Sequence, residues 1–483
     1  MSSRSKAGWA FVVTALALLM VTLDNLVVTT ALPVIKQSLN ASIEDLEWTV
    51  NAYTLTFAVF LLTGAALGDR FGRRRMFTIG VTIFTIASAA AALAPSIETL
   101  IVARAIQGLG GAMVVPLTLT ILSAAVPPER RGLALGAWGA VGGLAVALGP
   151  LVGGIVTEGL SWQYIFWLNV PIGLLVVPLA RLRLTESYGP AHRLDLPGVA
   201  LASLGLLGIV WGVIHGNGEG WTSPSIVAPI VGGFALLAAF LWWERRAPAP
   251  MVPPRFLANK RLSLANVSSL LMYFGMFGSV FLLTQFLQFV QGYSPVQAGL
   301  RVLPWTIMPI FVAPIAGASS DRIHGGWLMG IGLAMQAIGL AWLGLVITPT
   351  VDYAQLIVPF IISGIGMGLF FAPVANIVLS AVRPQEEGQA SGINNAIREM
   401  GGVFGVAVLA SVFSRYGSYA SGQSFVDGLV PAVLIGAVIV GVGAVSAFAI
   451  PRGRGIAEAD ADDPREVPIT GVVDAEPVYA RNA

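Results

Sequence analysis

Long apolar segments alternate along the whole sequence with short clusters of charged residues, proline and glycine. Segments of about 20 apolar residues are long enough to cross a bilayer as helices. Hydrophobic residues account for 56% of the 483 residues and charged residues for only 11%, whereas about 25% of an average soluble protein is charged. This pattern excludes a water-soluble fold and predicts an all-α integral membrane protein.

The apolar segments predict fourteen membrane-spanning helices. They are expected at about residues 9–35, 48–67, 76–94, 99–126, 132–157, 165–182, 196–215, 225–243, 263–290, 297–319, 326–348, 354–382, 390–414 and 428–450. The first segment is too long for the core of a signal peptide, so we expect a retained first helix. After residue 450 the sequence is rich in proline, alanine and acidic residues, which predicts a disordered cytoplasmic tail.

The positions of lysine and arginine predict how the helices are oriented. If the N-terminus is inside, 22 of the 27 Lys and Arg residues lie in cytoplasmic segments, where such residues are normally retained. Missing one helix would reverse every later loop and spoil this asymmetry. We therefore expect an even number of helices with both termini cytoplasmic, and the basic clusters need no nucleic-acid partner.

Several kinds of chemistry are excluded by what the sequence lacks. It has no cysteine, and His192, His215 and His324 are too far apart for a motif-spaced metal site. It has no Gly-x-x-x-x-Gly-Lys-Ser/Thr sequence, which excludes direct ATP hydrolysis. We therefore expect no cofactor and no enzymatic activity. A proton gradient remains as an energy source, since one proton crossing 100 mV releases about 2.3 kcal/mol.

Two predicted cytoplasmic turns combine glycine with an Asp-Arg pair. Glycine lets helix ends approach closely, and Asp with Arg offers a charge-assisted lock between neighbouring helices. Such a lock can form in one state and break in another, whereas Arg74 and Arg75 need no role beyond that of positive-inside anchors. The residues predicted to gate the inner mouth are Gly68, Asp69, Arg70, Gly72 and Arg73 in the first turn, and Asp321 and Arg322 in the second.

The two turns also predict how the chain is divided. They follow the second and the tenth predicted helices, whereas two similar six-helix halves would place them six helices apart. The larger separation predicts two helices inserted between the halves. The chain then consists of an N-terminal six-helix bundle (1–185), the inserted pair (186–255), a C-terminal six-helix bundle (256–450) and the tail (451–483).

Apart from Arg181 and Arg301 near helix ends, four charged residues fall inside predicted spans, where each costs about 2.5 to 3.5 kcal/mol and function is the default explanation. At about 1.5 Å of rise per residue, Asp24 in helix 1 and Arg104 in helix 4 both lie roughly 22 Å from the inner face. The two would form either a purely structural ion pair or a proton-coupling site in which Asp24 is the protonatable group.

The other two charges, Arg398 and Glu399, lie in helix 13, roughly 13 Å above the inner face. Asn394 and Asn395 precede them by one helical turn, so polar side chains cover one sector of this helix. Glu399 would be a second proton acceptor, a counter-charge for a cationic substrate or the partner of another arginine. Whether Asp24 or Glu399 is the main coupling acid stays open.

Several of these segments resemble motifs of one known family. Residues 68–75 resemble the signature loop of the major facilitator superfamily, and residues 104–108 resemble the Arg-x-x-Gln-Gly motif of its fourth helix. Residues 149–154 are similar to the helix 5 motif of its antiporters. The segments that resemble its fourteen-helix drug:proton antiporter branch are 23–33, 162–173 and 291–299, and the whole resemblance covers about residues 9–450.

The resemblance implies the major facilitator fold with fourteen transmembrane helices in a 6+2+6 arrangement. It implies a plasma-membrane protein that exports amphipathic drugs or antibiotics in exchange for protons, as a monomer in the lipid bilayer. Helix 5 would be a bendable helix that occludes the pathway against proton leak, unless it is merely a kinked structural helix. The helix 5 residues concerned are Gly149, Pro150, Gly153 and Gly154.

Other functions remain open from the sequence. A proton symporter for a nutrient, or a transporter of one endogenous metabolite, fits the same architecture. An integral-membrane enzyme would need a clustered polar site, but the sequence has no His-rich cluster or nucleophile motif. A channel would need neither the paired Asp-Arg turns nor the intramembrane charges, which fit a carrier better. The sequence does not specify which drug or metabolite is carried or how many protons are exchanged.

Overall fold

The computed structural model describes residues 3–126, 128–188, 195–248, 250–319, 323–383 and 386–452, and all regular elements in these residues are helices. They are α1 (Ser3–Leu39), α2 (Ile43–Phe71), α3 (Arg73–Ala92), α4 (Ile97–Ala125), α5 (Pro128–Gly159), α6 (Tyr164–Trp167), α7 (Asn169–Arg183), α8 (Leu196–Glu219), α9 (Pro224–Glu244), α10 (Pro254–Ala258), α11 (Lys260–Gln285), α12 (Pro295–Thr306), α13 (Met308–Ser319), α14 (Gly325–Val346), α15 (Tyr353–Ser380), α16 (Glu387–Tyr416) and α17 (Gly422–Phe448). A π-helical turn, Phe286–Val290, continues α11.

Thirteen stretches of the described helices are long and apolar enough to cross a bilayer. They contain 20 to 33 residues and have mean hydropathies of 1.5 to 2.4. Each coincides with one predicted span, and the remaining predicted span, 132–157, coincides with α5. The predicted tail lies outside the described residues beyond Arg452, as do Asp321 and Arg322 of the second predicted gating turn.

Two spans that the apolar pattern predicts as single helices are each broken in two. The predicted helix 165–182 is interrupted at Leu168, and the predicted helix 297–319 is interrupted at Ile307. Proline is tolerated in the first turn of a helix but disrupts a helix interior, because it has no N–H and its ring clashes with the preceding turn. Pro171 and Pro309 lie in the first turns of α7 and α13, which explains why new helices start there.

Helix α2 begins earlier than its apolar pattern predicts, at Ile43 instead of residue 48. Its first turn is polar and is stabilised by a capping box rather than by burial. The Asp45 N–H donates to Ser42 Oγ at 3.1 Å, and the Ser42 N–H donates to Asp45 Oδ2 at 2.8 Å. This turn therefore extends the apolar part of α2 by a segment that the hydrophobic pattern alone could not reveal.

The long helices form two groups and an additional pair. Helices α1 to α7 pack mainly with one another, and so do α10 to α17; the two groups meet mainly where α5 packs on α12 and α2 packs on α16. Helices α8 and α9 pack together, and α8 also packs on both α2 and α16. Following the predicted orientation, we call the side with the α1–α2 turn the outer side and the side with the α2–α3 turn the inner side.

Candidate functional site

The carboxylate of Asp24 and the guanidinium of Arg104 form a buried ion pair between α1 and α4. Asp24 is 2% exposed and Arg104 is not exposed at all. Arg104 Nη1 donates a hydrogen bond to Asp24 Oδ2. The pairing expected from their equal predicted depth is present in the structure, and its burial makes each charge depend on its partners.

Two amide side chains complete the set of donors around Asp24. Gln107 Nε2 donates to Asp24 Oδ1 at 2.8 Å, and Asn169 Nδ2 donates to the same oxygen at 2.6 Å. Gln107 faces Asp24 because it lies three residues after Arg104 on the same side of α4. Asn169 is the first residue of α7, so the helix break at Leu168 places it there. The Asp24 carboxylate thus connects α1, α4 and α7.

Arg104 is held from the opposite direction by α2. Its Nε donates to the carbonyl oxygen of Thr49 at 3.2 Å, and its Cζ lies 4.2 Å from the centroid of the Tyr53 ring, a distance typical of a cation–π contact. Its Nη2 is buried and has no hydrogen-bond partner among the described residues. Leaving a buried donor unpaired is unfavourable, and Nη2 has the capacity to donate one further hydrogen bond.

A second polar site surrounds Arg398 on α16. The guanidinium donates from Nη2 to the Tyr273 hydroxyl and from Nη1 to Asn395 Oδ1, the latter at 2.9 Å. Its Cζ lies 4.5 Å from the Tyr273 ring centroid and 5.8 Å from that of Phe371. Arg398 is therefore held against the aromatic side chains of α11 and α15 and not by a carboxylate in the described part of the chain.

Glu399 has no comparable set of donors. Its Oε2 is buried without a hydrogen-bond partner, and no described Lys, Arg or His nitrogen lies within ion-pair distance of it. One of the three interpretations of Glu399, a pair with another arginine, is therefore not found in the described residues. A carboxyl group in this situation can accept a proton or a cationic ligand.

The first predicted gating turn connects α2 to α3 through an ion pair. Arg73, the first residue of α3, donates a hydrogen bond from Nε to Asp69 Oδ1 on α2 at 2.8 Å, and its Nη2 lies 2.8 Å from the same oxygen in an ion pair. Gly72 between the two helices has φ of +102°, a backbone conformation that favours glycine. Arg70 is exposed, with its Cζ 5.1 Å from the Phe71 ring centroid.

Arg74 belongs to this turn as well, although the sequence suggested only an anchoring role. The Arg74 N–H donates to Glu186 Oε1 at 2.9 Å, and Arg74 Nε lies 3.6 Å from Glu186 Oε2. Glu186 follows α7, and the backbone N–H of Arg73 also donates to the carbonyl oxygen of Ser187 at 2.9 Å. The segment after α7 therefore ties the gating turn to the end of its own helix group.

The glycines of α5 lie where this helix packs against both neighbours. A Cβ atom on Gly149 would lie 2.6 Å from Leu26 Cβ on α1, and one on Gly153 would lie 2.8 Å from the Val27 carbonyl oxygen. On the other side, a Cβ atom on Gly154 would lie 2.4 Å from the Pro295 carbonyl oxygen of α12. The motif therefore permits backbone contact between α5 and each helix group.

The same interface is completed from α12 and by polar contacts. A Cβ atom on Gly299 would lie 2.4 Å from the carbonyl oxygen of Pro150. The Val296 N–H donates to Glu158 Oε2 at 3.1 Å, and Gln288 Nε2 donates to the Thr30 carbonyl oxygen at 2.8 Å. Since these contacts join the two groups at the outer ends of their helices, the structure has its outer side closed.

Several residues of these sites were not singled out from the sequence. Gln107 and Asn169 were noted only as parts of family motifs, and Tyr273 and Glu186 were not noted. The sequence signal that could have identified Asn169 is that it is a polar residue within an apolar span. Tyr273 and Glu186 carry no such signal, because tyrosine is common in membrane helices and Glu186 lies outside them.

The helices and the buried ion pair define a class of protein, the multi-pass membrane proteins with charged residues inside the membrane region. The chain belongs to the major facilitator superfamily, whose family model matches residues 14–406 and 266–465. It is therefore a multi-pass transporter of small molecules in the plasma membrane, as the sequence motifs predicted.

Curated relatives cover most of the chain. The multidrug resistance protein Stp of Mycobacterium tuberculosis is 36% identical over 84% of this chain and 75% of its own length. The tetracenomycin C resistance and export protein of Streptomyces glaucescens is 33% identical over 83% of this chain and 75% of its own. The puromycin resistance protein pur8 of Streptomyces alboniger is 35% identical over 92% of this chain and 88% of its own.

Solved structures confirm the fold. A bacterial homolog of the human lysosomal transporter Spinster, in an inward-facing and unoccupied conformation, superposes with a TM-score of 0.66 at 16% identity and covers 93% of this chain and 98% of its own. The xylose transporter XylE from E. coli, in a partially occluded inward-open conformation, gives a TM-score of 0.61 at 16% identity and covers 91% and 97%. The predicted major facilitator fold is therefore present.

Proposed function

We propose that this transporter exports amphipathic drugs or antibiotics in exchange for protons. The resistance and export activities named for its relatives support the substrate class. We further propose fourteen spans with both termini cytoplasmic, in which the 32-residue helix α5 is the span additional to the thirteen candidates. The two helix groups and the α8–α9 pair would then be the six-helix halves and the inserted pair.

The observation that carries the proposal is the buried carboxylate of Asp24 with its donors from Arg104, Gln107 and Asn169. Protonation of Asp24 would remove its charge and with it the attraction to Arg104. Arg104 would remain held by Thr49 and Tyr53 on α2. The proton would therefore loosen α1 from α2 and α4, which is the kind of change that alternating access requires.

The proposed cycle moves a proton inward and a drug outward. When the outer side is open, Asp24 takes a proton from outer water and the drug leaves. When the inner side is open, Asp24 releases the proton to the cytoplasm, its pair with Arg104 forms again and a drug binds. The Nη2 donor of Arg104, unpaired among the described residues, would bind an acceptor on the drug or a water molecule.

Glu399 and Arg398 supply a second proposed site. The buried Oε2 of Glu399, which has no hydrogen-bond partner among the described residues, supports a role as second proton acceptor or as counter-charge for a cationic drug. The aromatic rings beside Arg398 offer apolar contact for the rest of an amphipathic molecule. Asp24 and Glu399 would then divide proton coupling and drug recognition between the two halves.

Two regions would control access to these sites. On the inner side, Asp69 and Arg73 would gate the mouth together with Arg70, Gly68 and Gly72, and Asp321 and Arg322 would do the same in the second half. On the outer side, the contact of Gly149, Pro150, Gly153 and Gly154 with α1 and α12 would prevent proton leak. The outer contacts already formed in the structure support the second role.

Transport by everted membrane vesicles tests the proposal. Addition of drug should cause proton efflux from acidified vesicles, and Asp24→Asn should abolish this efflux because the variant cannot bind the proton. Asp427→Asn, which changes an exposed aspartate on α17, should retain it. Glu399→Gln tests whether Glu399 is a second coupling acid. Loss of proton flux with normal drug binding would assign proton coupling to Glu399. Normal coupling in Asp24→Asn would contradict the role of Asp24.

A further inference from the structure

A lysine of the first helix group lies against an aromatic ring of the second group on the outer side. Lys36, in the last turn of α1, places its Nζ 4.2 Å from the centroid of the Tyr419 ring, a distance typical of a cation–π contact. Its Nζ also donates to the Ala41 carbonyl oxygen at 3.4 Å, and no carboxylate of the described residues lies within ion-pair distance of it. In the described part of the chain, this ammonium group therefore contacts the second group through an aromatic face and not through a salt bridge.

Tyr419 is held in place by its own helix group. It lies in the loop between α16 and α17, and its hydroxyl donates to Gln285 Oε1 on α11. The centroid of its ring lies 5.0 Å from that of Phe289, 5.7 Å from that of Phe413 and 5.2 Å from that of Phe425. Phe413 and Phe425 are fully buried, whereas Phe289 is 40% exposed. We call these four aromatic residues the outer aromatic cluster, which does not need Lys36 for its arrangement.

The turn that carries Phe289 also contacts the first helix group. Phe289 belongs to the π-helical turn Phe286–Val290, and such turns are frequent at functional sites. In the same turn, Gln288 Nε2 donates to the Thr30 carbonyl oxygen of α1 at 2.8 Å. This hydrogen bond and the contact of Lys36 both join α1 to the second group. Separation of the two groups on the outer side would break both, and the ammonium of Lys36 would leave the outer aromatic cluster.

We propose that the outer aromatic cluster is a binding site for amphipathic organic cations, the drugs that carry a protonated or quaternary amine. The face of an aromatic ring attracts an ammonium group, and aromatic cages bind quaternary ammonium ligands. Tyr419 contacts the charged group of the drug, and the exposed ring of Phe289 contacts its apolar part. Lys36 occupies this site when the outer side is closed, and the drug occupies it when the outer side is open.

Lys36 and the drug compete for the same ring. Two positive charges against one ring repel each other, so Tyr419 binds one cation at a time. As the outer side closes, α1 returns Lys36 to Tyr419 and the drug is displaced into the outer water. The cluster is thus the last binding site on the export path, and Lys36 opposes rebinding of the exported cation. This inference rests on the proposed function for the direction of transport and narrows its substrate class to cationic drugs.

Binding of benzyltrimethylammonium to the full-length protein in nanodiscs, measured by isothermal titration calorimetry, tests the competition. All proteins carry Glu399→Gln, which removes the other proposed counter-charge for a cation. Lys36→Met replaces the ammonium group by a neutral side chain of similar length, and the probe should then bind about two- to fivefold more tightly, as one cation–π contact implies. Lys260→Met, which changes an exposed lysine on the inner side, should leave the affinity unchanged. Equal affinity in Lys36→Met and its parent overturns the proposal.

A second series tests whether the probe contacts the ring of residue 419. Tyr419→Phe is compared with phenylalanines that carry one, two or three ring fluorines at the same position, all in the Lys36→Met background. Fluorine preserves the shape of the ring but withdraws negative charge from its face, so the affinity for the probe should fall with each added fluorine. The same series at Phe448, an exposed ring at the inner end of α17, should not change the affinity. An affinity that does not depend on fluorine at position 419 overturns the proposal.

The binding measurements need neither transport nor a proton gradient, so they are independent of the proposed exchange. Normal proton coupling in Asp24→Asn contradicts the exchange mechanism and leaves the dependence of probe binding on residue 419 intact. Conversely, loss of coupling in Asp24→Asn together with fluorine-independent binding supports the exchange and overturns the proposed cation site. Failure of the proposed exchange and failure of this inference are therefore separate results.

Discussion

A Cβ atom on Gly154 would lie 2.4 Å from the carbonyl oxygen of Pro295, so the backbones of α5 and α12 are in contact. Gly154→Ala should prevent this contact, because the added methyl group overpacks the interface between α5 and α12. Overpacking costs about 1 to 3 kcal/mol, and here it would destabilise the state in which the outer side is closed. We expect drug resistance of expressing cells to fall by roughly five- to hundredfold, as that energy implies. Gly159→Ala near the end of the same helix, where nothing lies within 4 Å, should have no effect. Equal resistance in both variants would contradict the proposed role of the glycine contact.

The hydrogen bond from Asn169 to Asp24 should contribute to stability. Asn169→Ala removes a donor to a buried carboxylate, and hydrogen bonds to charged groups contribute about 1.5 to 3 kcal/mol. The melting temperature in detergent should therefore decrease. Gln37→Ala, an exposed amide on α1, is the control and should melt like the unmodified protein. An unchanged melting temperature in Asn169→Ala would mean that water replaces the lost donor.

Gly72 and Gly220 allow backbone strain to be separated from a specific contact. They have nearly the same conformation, with φ of +102° and ψ of 123° at Gly72 and φ of +90° and ψ of 127° at Gly220. Alanine at either position should cost about 1 to 3 kcal/mol of backbone strain. Only at Gly72 would the new Cβ lie 2.8 Å from the Glu186 carboxyl carbon. Drug efflux should therefore fall more in Gly72→Ala than in Gly220→Ala at equal expression.

The ion pair between Arg74 and Glu186 should contribute only modestly, because both side chains are partly exposed. A double-mutant cycle with Arg74→Ala and Glu186→Ala should give a coupling energy of at most about 1 kcal/mol in thermal unfolding, smaller at high salt. The same cycle with Arg75→Ala should give none. Coupling of Arg75 to Glu186 as strong as that of Arg74 would show that only general charge matters.

The depths of helices and charged residues were predictable from the sequence. Each residue of a helix advances about 1.5 Å along its axis, so a residue number gives a depth directly, and Asp24 and Arg104 indeed meet. The apolar segments likewise mark the spans, because the bilayer requires about 20 apolar residues in each. These predictions depend on one dimension only, the distance along the membrane normal.

Lateral relationships were not predictable in this way. Which helix stands beside which depends on packing between distant segments, so the contact of Arg398 with Tyr273 has no local signal. The position of Asn169 depends on a helix break that its apolar surroundings conceal. That the described residues place no ion-pair partner at Glu399 was also unpredictable, because this depends on all the helices around it at once.

The α8–α9 pair has a consequence for motion between the two groups. Asn217 on α8 donates from Nδ2 to the carbonyl oxygen and to Oγ of Ser411 on α16, the latter at 3.2 Å. Towards α2 the contact is apolar, with Leu55 and Val59 in the same cluster as residues of α8, a cluster to which Val403 and Ala407 of α16 also belong. Apolar contacts can rearrange without the loss of directed hydrogen bonds, so we expect α8 to move with α16 and to slide along α2. The α8–α9 pair would then move together with the second helix group, and the first group would slide along its surface.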